Sequence, residues 1–92
     1  MIQSFRCAST QALFEGKSVP RFANFRVVAE RKLAMLHRAI RLDDLRIPPN
    51  NRLEALKGKR AGQYSIRIND QWRICFIWVG DGVAELEIVD YH

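Results

Sequence analysis

Two neighbouring stretches in the second half of the chain alternate between apolar and polar residues, and this alternation constrains the fold most strongly. They cover residues 64–68 and 72–78, and a loop at 69–71 separates them. A two-residue turn would mix apolar and charged side chains on each face, whereas a three-residue loop pairs apolar with apolar. The sequence therefore predicts an antiparallel hairpin in which Arg67 lies directly opposite Arg73.

The first half of the chain carries a helical period instead. Apolar residues recur every three or four positions over residues 22–40, which predicts a long helix with one apolar face. A shorter helix is predicted before it, beginning at Ser9 as N-cap and closed by Gly16. These two helices leave the remaining apolar segments to form strands.

Along the chain, predicted strands both precede and follow the helices. Residues 1–5 are a short strand candidate, and after residue 50 a period of two continues to the last strand, which follows a tight turn at 80–82. In that strand Ala84, Leu86 and Ile88 are expected on one face. The sequence predicts a single α+β domain over residues 1–92, an antiparallel β-sheet with two N-terminal helices packed on one face and the other face open.

Composition narrows the class of partner. The 92 residues carry a net charge of +5, which favours an anionic partner such as nucleic acid. Two Cys and two His, without close pairs, do not form a convincing metal set, and no cofactor is predicted. No long apolar run or signal peptide is found, so we expect a cytoplasmic protein with no membrane partner.

The opposed Arg67 and Arg73 are the strongest functional signal from the residues themselves. Like charges directly opposite each other destabilise a sheet, unless acidic neighbours neutralise them or an anion binds between them. Glu85, Glu87 or Asp90 could neutralise the pair. Alternatively, guanidinium groups suit a phosphate, which they can grip with two hydrogen bonds.

The final residues, Asp90, Tyr91 and His92, add groups that can move protons. His92 is the side chain of this region that titrates near neutral pH. Its position directly after an amphipathic strand and beside the predicted arginine pair makes it a candidate acid or base. Asp90 would orient it or share that role.

Three segments together resemble a known family. "LKG" at 56–58, "SIRINDQWR" at 65–73 and the final "DYH" at 90–92 are similar to the HigB toxins of the RelE/ParE superfamily. The resemblance implies a RelE-like, microbial-RNase-like fold and an endonuclease that cuts mRNA in the ribosomal A site without metal. It also implies neutralisation by a HigA-type helix-turn-helix antitoxin, through which alone the toxin would reach operator DNA.

The resemblance also implies roles for individual residues. Lys57 matches a catalytic lysine, Arg73 matches an arginine at the scissile phosphate, and Asp90, Tyr91 and His92 match terminal active-site residues. Some HigB toxins carry a histidine three residues before the lysine, where this chain has Glu54 as a substitute base. Four further basic residues are predicted to bind RNA from the sequence pattern rather than from the resemblance. They are Arg67, from the hairpin register, and Lys59, Arg60 and Arg52.

Two other functions remain open from the sequence. A ParE-like gyrase inhibitor would share the fold, but that group lacks the terminal catalytic residues, so "DYH" argues against it. A non-catalytic module that binds RNA or an antitoxin would need the basic residues without the proton-transfer groups.

Overall fold

The computed structural model describes residues 1–90. Two helices precede a four-stranded antiparallel sheet with strand order β1-β2-β3-β4, which confirms the predicted α+β class. The helices are α1 (Ala8–Phe14) and α2 (Arg26–Arg38), and the strands are β1 (Glu54–Ala55), β2 (Tyr64–Arg67), β3 (Trp72–Val79) and β4 (Gly82–Asp90). Short 3-10 turns connect them at Pro20–Phe25, Leu42–Arg46, Pro49–Asn51 and Gly58–Arg60.

The long predicted helix is divided in two. Its first part is the 3-10 turn Pro20–Phe25, and α2 follows with Ala29, Leu33 and Leu36 fully buried against the sheet. The helix ends at Arg38 because Ala39 has an extended backbone, with φ −63° and ψ 131°. Ile40, which the periodicity placed on the apolar face, is therefore outside the helix and 70% exposed.

The short helix α1 begins earlier than expected. Cys7 occupies the N-cap position without a side-chain hydrogen bond, so the prediction of Ser9 as N-cap was wrong. Gly16 does close the helix as predicted, with a left-handed φ of +87°. The Gly16 and Lys17 N–H groups donate to the carbonyls of Leu13 and Ala12, which satisfies the last turn of the helix.

The predicted hairpin has the predicted register. Tyr64 pairs with Phe76, Ser65 with Cys75, Ile66 with Ile74 and Arg67 with Arg73. The Asn69 side-chain oxygen accepts hydrogen bonds from the N–H groups of Gln71 (2.9 Å) and Trp72 (2.8 Å), which fixes the loop. The alternation of buried side chains therefore selected the correct pairing.

A bulge interrupts the pairing of β3 with β4. Cys75 pairs with Glu87 and Ile77 with Ala84, so Glu85 and Leu86 together oppose Phe76. Glu85 takes a left-handed φ of +55°. The extra residue turns Ala84 to the face opposite Leu86 and Ile88, so their predicted common face was wrong for Ala84.

The N-terminal segment lies along the outer edge of β4. Instead of a regular strand, it forms two isolated parallel bridges, Ile2 with Val83 and Phe5 with Leu86. The Gln3 and Arg6 N–H groups donate to the carbonyls of Val83 (2.8 Å) and Leu86 (2.9 Å). These contacts cover the edge that β4 would otherwise expose.

The second face of the sheet is more covered than predicted. Ser65 and Cys75 are 0% exposed and Arg73 is 9% exposed, so the expectation of an open face was wrong. Arg60, from the segment between β1 and β2, crosses this face to Glu87, and the carbonyl of Arg52 meets Arg73. Within residues 1–90, no helix is both long enough and apolar enough to cross a membrane.

Candidate active site

A groove runs beside the shortest strand of the sheet. Its volume is about 390 Å³, and the described residues that line it are Glu54, Ala55, Leu56 and Lys57. Both Glu54 and Lys57 are exposed, so the groove offers a carboxylate and an ammonium group to solvent. The predicted base and the predicted catalytic lysine therefore share one concave surface.

Strand pairing connects Glu54 to the second face of the sheet. Glu54 pairs with Ser65, Ser65 with Cys75, and Cys75 with Glu87, which forms a row of residues across all four strands. Residues that pair directly project to the same face of an antiparallel sheet. Glu54 thus lies on the face that carries Arg73.

Arg73 is held by acceptors from two parts of the chain. Its Nε donates to the Ser65 Oγ at 2.8 Å, and its Nη2 donates to the Arg52 carbonyl at 2.8 Å and to the Ser65 carbonyl at 3.4 Å. Strand β2 and the segment before β1 therefore set its orientation. The sequence pointed to Arg73 but not to Ser65, whose role depends on the pairing of the two strands.

Arg52 contributes its backbone rather than its side chain to this contact. It follows the 3-10 turn Pro49–Asn51 with a left-handed backbone, φ 48° and ψ 54°. The Arg52 side chain is exposed, as an RNA-binding role requires. No sequence pattern signals that its carbonyl reaches Arg73.

Two of the predicted RNA-binding arginines are engaged with carboxylates. Arg67 forms an ion pair with Asp70 in the hairpin loop, and Arg60 pairs with Glu87 at 3.4 Å. Asp70 is thus a counter-charge for Arg67 that sequence reasoning missed, although it lies three residues away. Lys59 is exposed on the 3-10 turn Gly58–Arg60.

Asp90 lies across from Trp72, one pair further along than Arg73, which pairs with Val89. Asp90 is therefore the residue of β4 that follows the partner of Arg73, at the end of the strand. The Asp90 Oδ2 accepts a hydrogen bond from the Gln71 Nε2 at 3.0 Å, a contact that the sequence did not indicate. The predicted roles of Tyr91 and His92 lie outside the described residues.

A buried lysine that sequence reasoning missed supports the region from the helix side. Lys32 on α2 is 8% exposed, and its ammonium group donates to the Asn51 side-chain oxygen. Burial lowers the pKa of Lys32, and the charges of Arg31 and Arg67 lower it further. Asn51 in turn donates to the Leu45 carbonyl at 3.1 Å.

Cys75 does not have the environment of a nucleophile. Burial raises the pKa of its thiol, and the nearby Glu87 raises it as well, against the opposing charge of Arg60. A raised pKa keeps the sulfur protonated and unreactive. Within residues 1–90, no cluster of three or more His, Cys, Asp or Glu side chains could hold a metal ion.

Known proteins are similar in sequence to this chain. A family model described as the RelE-like toxin of the type II toxin–antitoxin system HigB matches residues 10–92. Toxin HigB-1 of Vibrio cholerae serotype O1 is 52% identical over 62 residues, which are 67% of this chain and 64% of that protein. An uncharacterized protein of Haemophilus influenzae is 39% identical over 64 residues, which are 70% of this chain and 63% of that protein. The chain thus spans just under two thirds of the length of both relatives.

Proposed function

Because the chain belongs to the HigB-like family of RelE-like toxins of type II toxin–antitoxin systems, we propose that it is a toxin that cuts mRNA on the ribosome. One observation supports this most directly. Glu54 lines the same groove as Lys57, and it pairs with the Ser65 that binds Arg73. A carboxylate, an ammonium group and a guanidinium group are thus carried by one region of the sheet, and groups of these types can serve proton transfer and charge stabilisation in the cleavage of a phosphodiester.

The proposed reaction uses the nucleophile that RNA carries. The Glu54 carboxylate removes the proton of a 2′-OH, whose oxygen attacks the adjacent phosphorus and forms a bond to it. The bond from phosphorus to the 5′-oxygen breaks, and that oxygen receives a proton. The products are a 2′,3′-cyclic phosphate and a 5′-OH. Lys57 and Arg73 stabilise the negative charge that develops on the phosphorane oxygens.

The terminal residues complete the proposed chemistry. His92 protonates the leaving 5′-oxygen, since imidazole exchanges protons near neutral pH. Asp90 orients His92 or shares its role, and Tyr91 either packs without a catalytic role or stacks on an unpaired base. An alternative assignment gives His92 the role of base and leaves Glu54 as a charge in the groove.

The proposed partners follow from the same function. The toxin acts in the cytoplasm on mRNA in the ribosomal A site. Its contacts with the RNA backbone come from four basic residues, Lys59, Arg60, Arg52 and Arg67. A HigA-type helix-turn-helix antitoxin neutralises the toxin and alone connects it to operator DNA.

Mapping the 5′ ends of cellular mRNA after induction tests the proposal. We expect new ends within reading frames for the parent chain. Arg73→Ala should reduce their rate of appearance by about 10²–10³-fold, because one donor to the developing charge is lost. Glu54→Gln should reduce it by about 10²–10⁴-fold if Glu54 is the base. Lys17→Gln removes an exposed charge whose ion pair is with Glu15, and it should behave as the parent.

Three outcomes would contradict parts of this proposal. Equal cleavage by the parent and Arg73→Ala would remove Arg73 from the mechanism. Binding to ribosomes without new 5′ ends in any strain would favour a non-catalytic RNA-binding module. Stalled replication with intact mRNA would favour a gyrase inhibitor.

A further inference from the structure

We infer that Ser65 is a positioning residue, which fixes the direction of the Arg73 guanidinium for its contact with the scissile phosphate. The inference rests on the proposed function. Ser65 is 0% exposed, and both its hydroxyl and its carbonyl accept hydrogen bonds from Arg73. Its hydroxyl accepts from the Arg73 Nε at 2.8 Å.

Two acceptors at short distance lie along the same edge of the Arg73 guanidinium. The Ser65 Oγ lies 2.8 Å from Nε, and the Arg52 carbonyl lies 2.8 Å from Nη2. A guanidinium group is planar and rigid, so two acceptors on one edge fix both its plane and the direction of its opposite edge. Either acceptor alone would leave the plane able to turn.

The position of Ser65 makes this restraint specific. Ser65 lies between Glu54 and Cys75 in the row of paired residues, in the fully buried part of the face. A small side chain leaves room for the Arg73 side chain to lie across it. If the hydroxyl is lost, the Nε–H of Arg73 loses this acceptor at a site with little access to water, and one of the restraints on the guanidinium plane is removed.

A misdirected guanidinium should lower the rate of cleavage more than the affinity for RNA. Displacements of about 1 Å at a reacting centre can cost up to about 10²-fold in rate. The effect should also depend on Arg73 itself. In a chain that lacks the guanidinium, the hydroxyl of Ser65 has nothing left to orient.

A double-mutant cycle measures this dependence in single-turnover cleavage of mRNA on purified ribosomes. Ser65→Ala should lower the rate by about 10–100-fold, with the half-saturating ribosome concentration changed less than about twofold. In the Arg73→Ala background the same substitution should change the rate less than about twofold. Ser65→Thr, which keeps a hydroxyl, should restore most of the rate. Equal effects of Ser65→Ala in both backgrounds would overturn the inference.

Exchange of the Arg73 Nε–H with solvent, followed by NMR, tests the same contact without reference to cleavage. We expect slow exchange in the parent and at least tenfold faster exchange in Ser65→Ala. Ser65→Cys keeps the shape of the side chain with a slightly larger and weaker acceptor, so its exchange should be intermediate, and it serves if the alanine variant does not fold. Arg52→Gly keeps the carbonyl at a left-handed position and should leave exchange slow.

The two readouts separate failure of the inference from failure of the proposed function. Cleavage by the parent with unchanged exchange in Ser65→Ala would overturn the positioning role and leave the nuclease standing. A parent chain that cuts no mRNA would overturn the proposed function and, with it, the catalytic purpose of Ser65. In that case fast exchange in Ser65→Ala would establish the contact as a structural one only, and would overturn the inference as stated.

Discussion

Lys32 places an ammonium group in the interior, where α2 meets the 3-10 turn Pro49–Asn51. Its partner is the Asn51 side-chain oxygen, a neutral acceptor that does not offset the charge as a carboxylate would. A buried cation with only neutral partners is stabilised less in the folded state than in water. This is why the pKa of Lys32 is lowered by burial, and also by the nearby Arg31 and Arg67.

The lowered pKa of Lys32 predicts that its charged form destabilises the folded state, and that this cost is removed as pH rises. Between the lowered folded pKa and the ordinary value of about 10.4, the unfolded chain binds more protons than the folded chain. The free energy of unfolding should therefore rise with pH across that window. Urea unfolding between about pH 8 and pH 10.5 checks this, with Lys32→Met as the variant that loses the rise.

An exposed lysine provides the control for this measurement. Lys17→Met removes an ammonium group whose side chain is 69% exposed, so its pH profile should follow that of the parent. If the profiles of the parent and Lys32→Met run parallel across the window, the buried ammonium does not titrate as described.

The sequence anticipated the residues of the site better than their contacts. Arg67 and Arg73 face each other as predicted, because alternating burial leaves only one register that keeps apolar side chains together. The hydrogen bond from Arg73 to the Arg52 carbonyl, and that from Lys32 to Asn51, were not predictable. Both depend on the backbone of the irregular segment before β1, and periodicity carries no information about such segments.

At the scale of elements, the bulge in β4 decides which side chains enter the core. Glu85 adopts a left-handed backbone, and its N–H donates to the Ser4 Oγ at 3.0 Å. This conformation is destabilising for residues other than glycine, because their Cβ crowds the following carbonyl. The bulge thus combines local strain with a contact to the N-terminal segment.

Substitution of Glu85 should reveal that strain. Glu85→Gly and Glu85→Ala both remove the side chain and keep the backbone N–H, but only glycine lacks Cβ. We expect the glycine variant to be more stable than the alanine variant by about 1 kcal/mol. Thermal or urea unfolding of the two variants measures the difference. An alanine variant equal to or more stable than glycine would show that the conformation is not strained.

The elements were predictable where one period extends over several turns or pairs, and not where it breaks. Strands β2 and β3 match the alternating segments, and the apolar face of α2 matches the helical spacing. The helical period is interrupted before Arg26, where the 3-10 turn Pro20–Phe25 precedes α2. The strand period is interrupted at Glu85 by the bulge. The covering of the second face was also missed, because it depends on where the segment between β1 and β2 folds back.

At the scale of the whole molecule, the positive charges differ in how accessible they are to a ligand. The net charge is +5, yet Arg60 and Arg67 are each held by a carboxylate. Lys57 lines the groove, and both Lys57 and Lys59 are exposed. For a ligand with a phosphate backbone, these lysines are the more accessible cations.

This distribution predicts how salt affects binding to ribosomes or RNA. Lys59→Gln should weaken binding uniformly across RNA sequences and reduce the slope of log affinity against log salt by about 1, because one phosphate contact is lost. Titrations between about 50 and 200 mM salt measure the slope. Lys17→Gln should leave it unchanged. A slope equal to that of the parent in Lys59→Gln would remove Lys59 from the RNA surface.

The attachment of the N-terminal segment to β4 affects the order in which the chain can fold during synthesis. Ile2 and Phe5 are bridged to Val83 and Leu86, so residues that are synthesised early must wait for residues that are synthesised much later. Until those arrive, the apolar residues of the segment have no strand to dock against. A nascent chain stalled before Val83 therefore cannot form these bridges, and the N-terminal segment docks only after β4 has been synthesised.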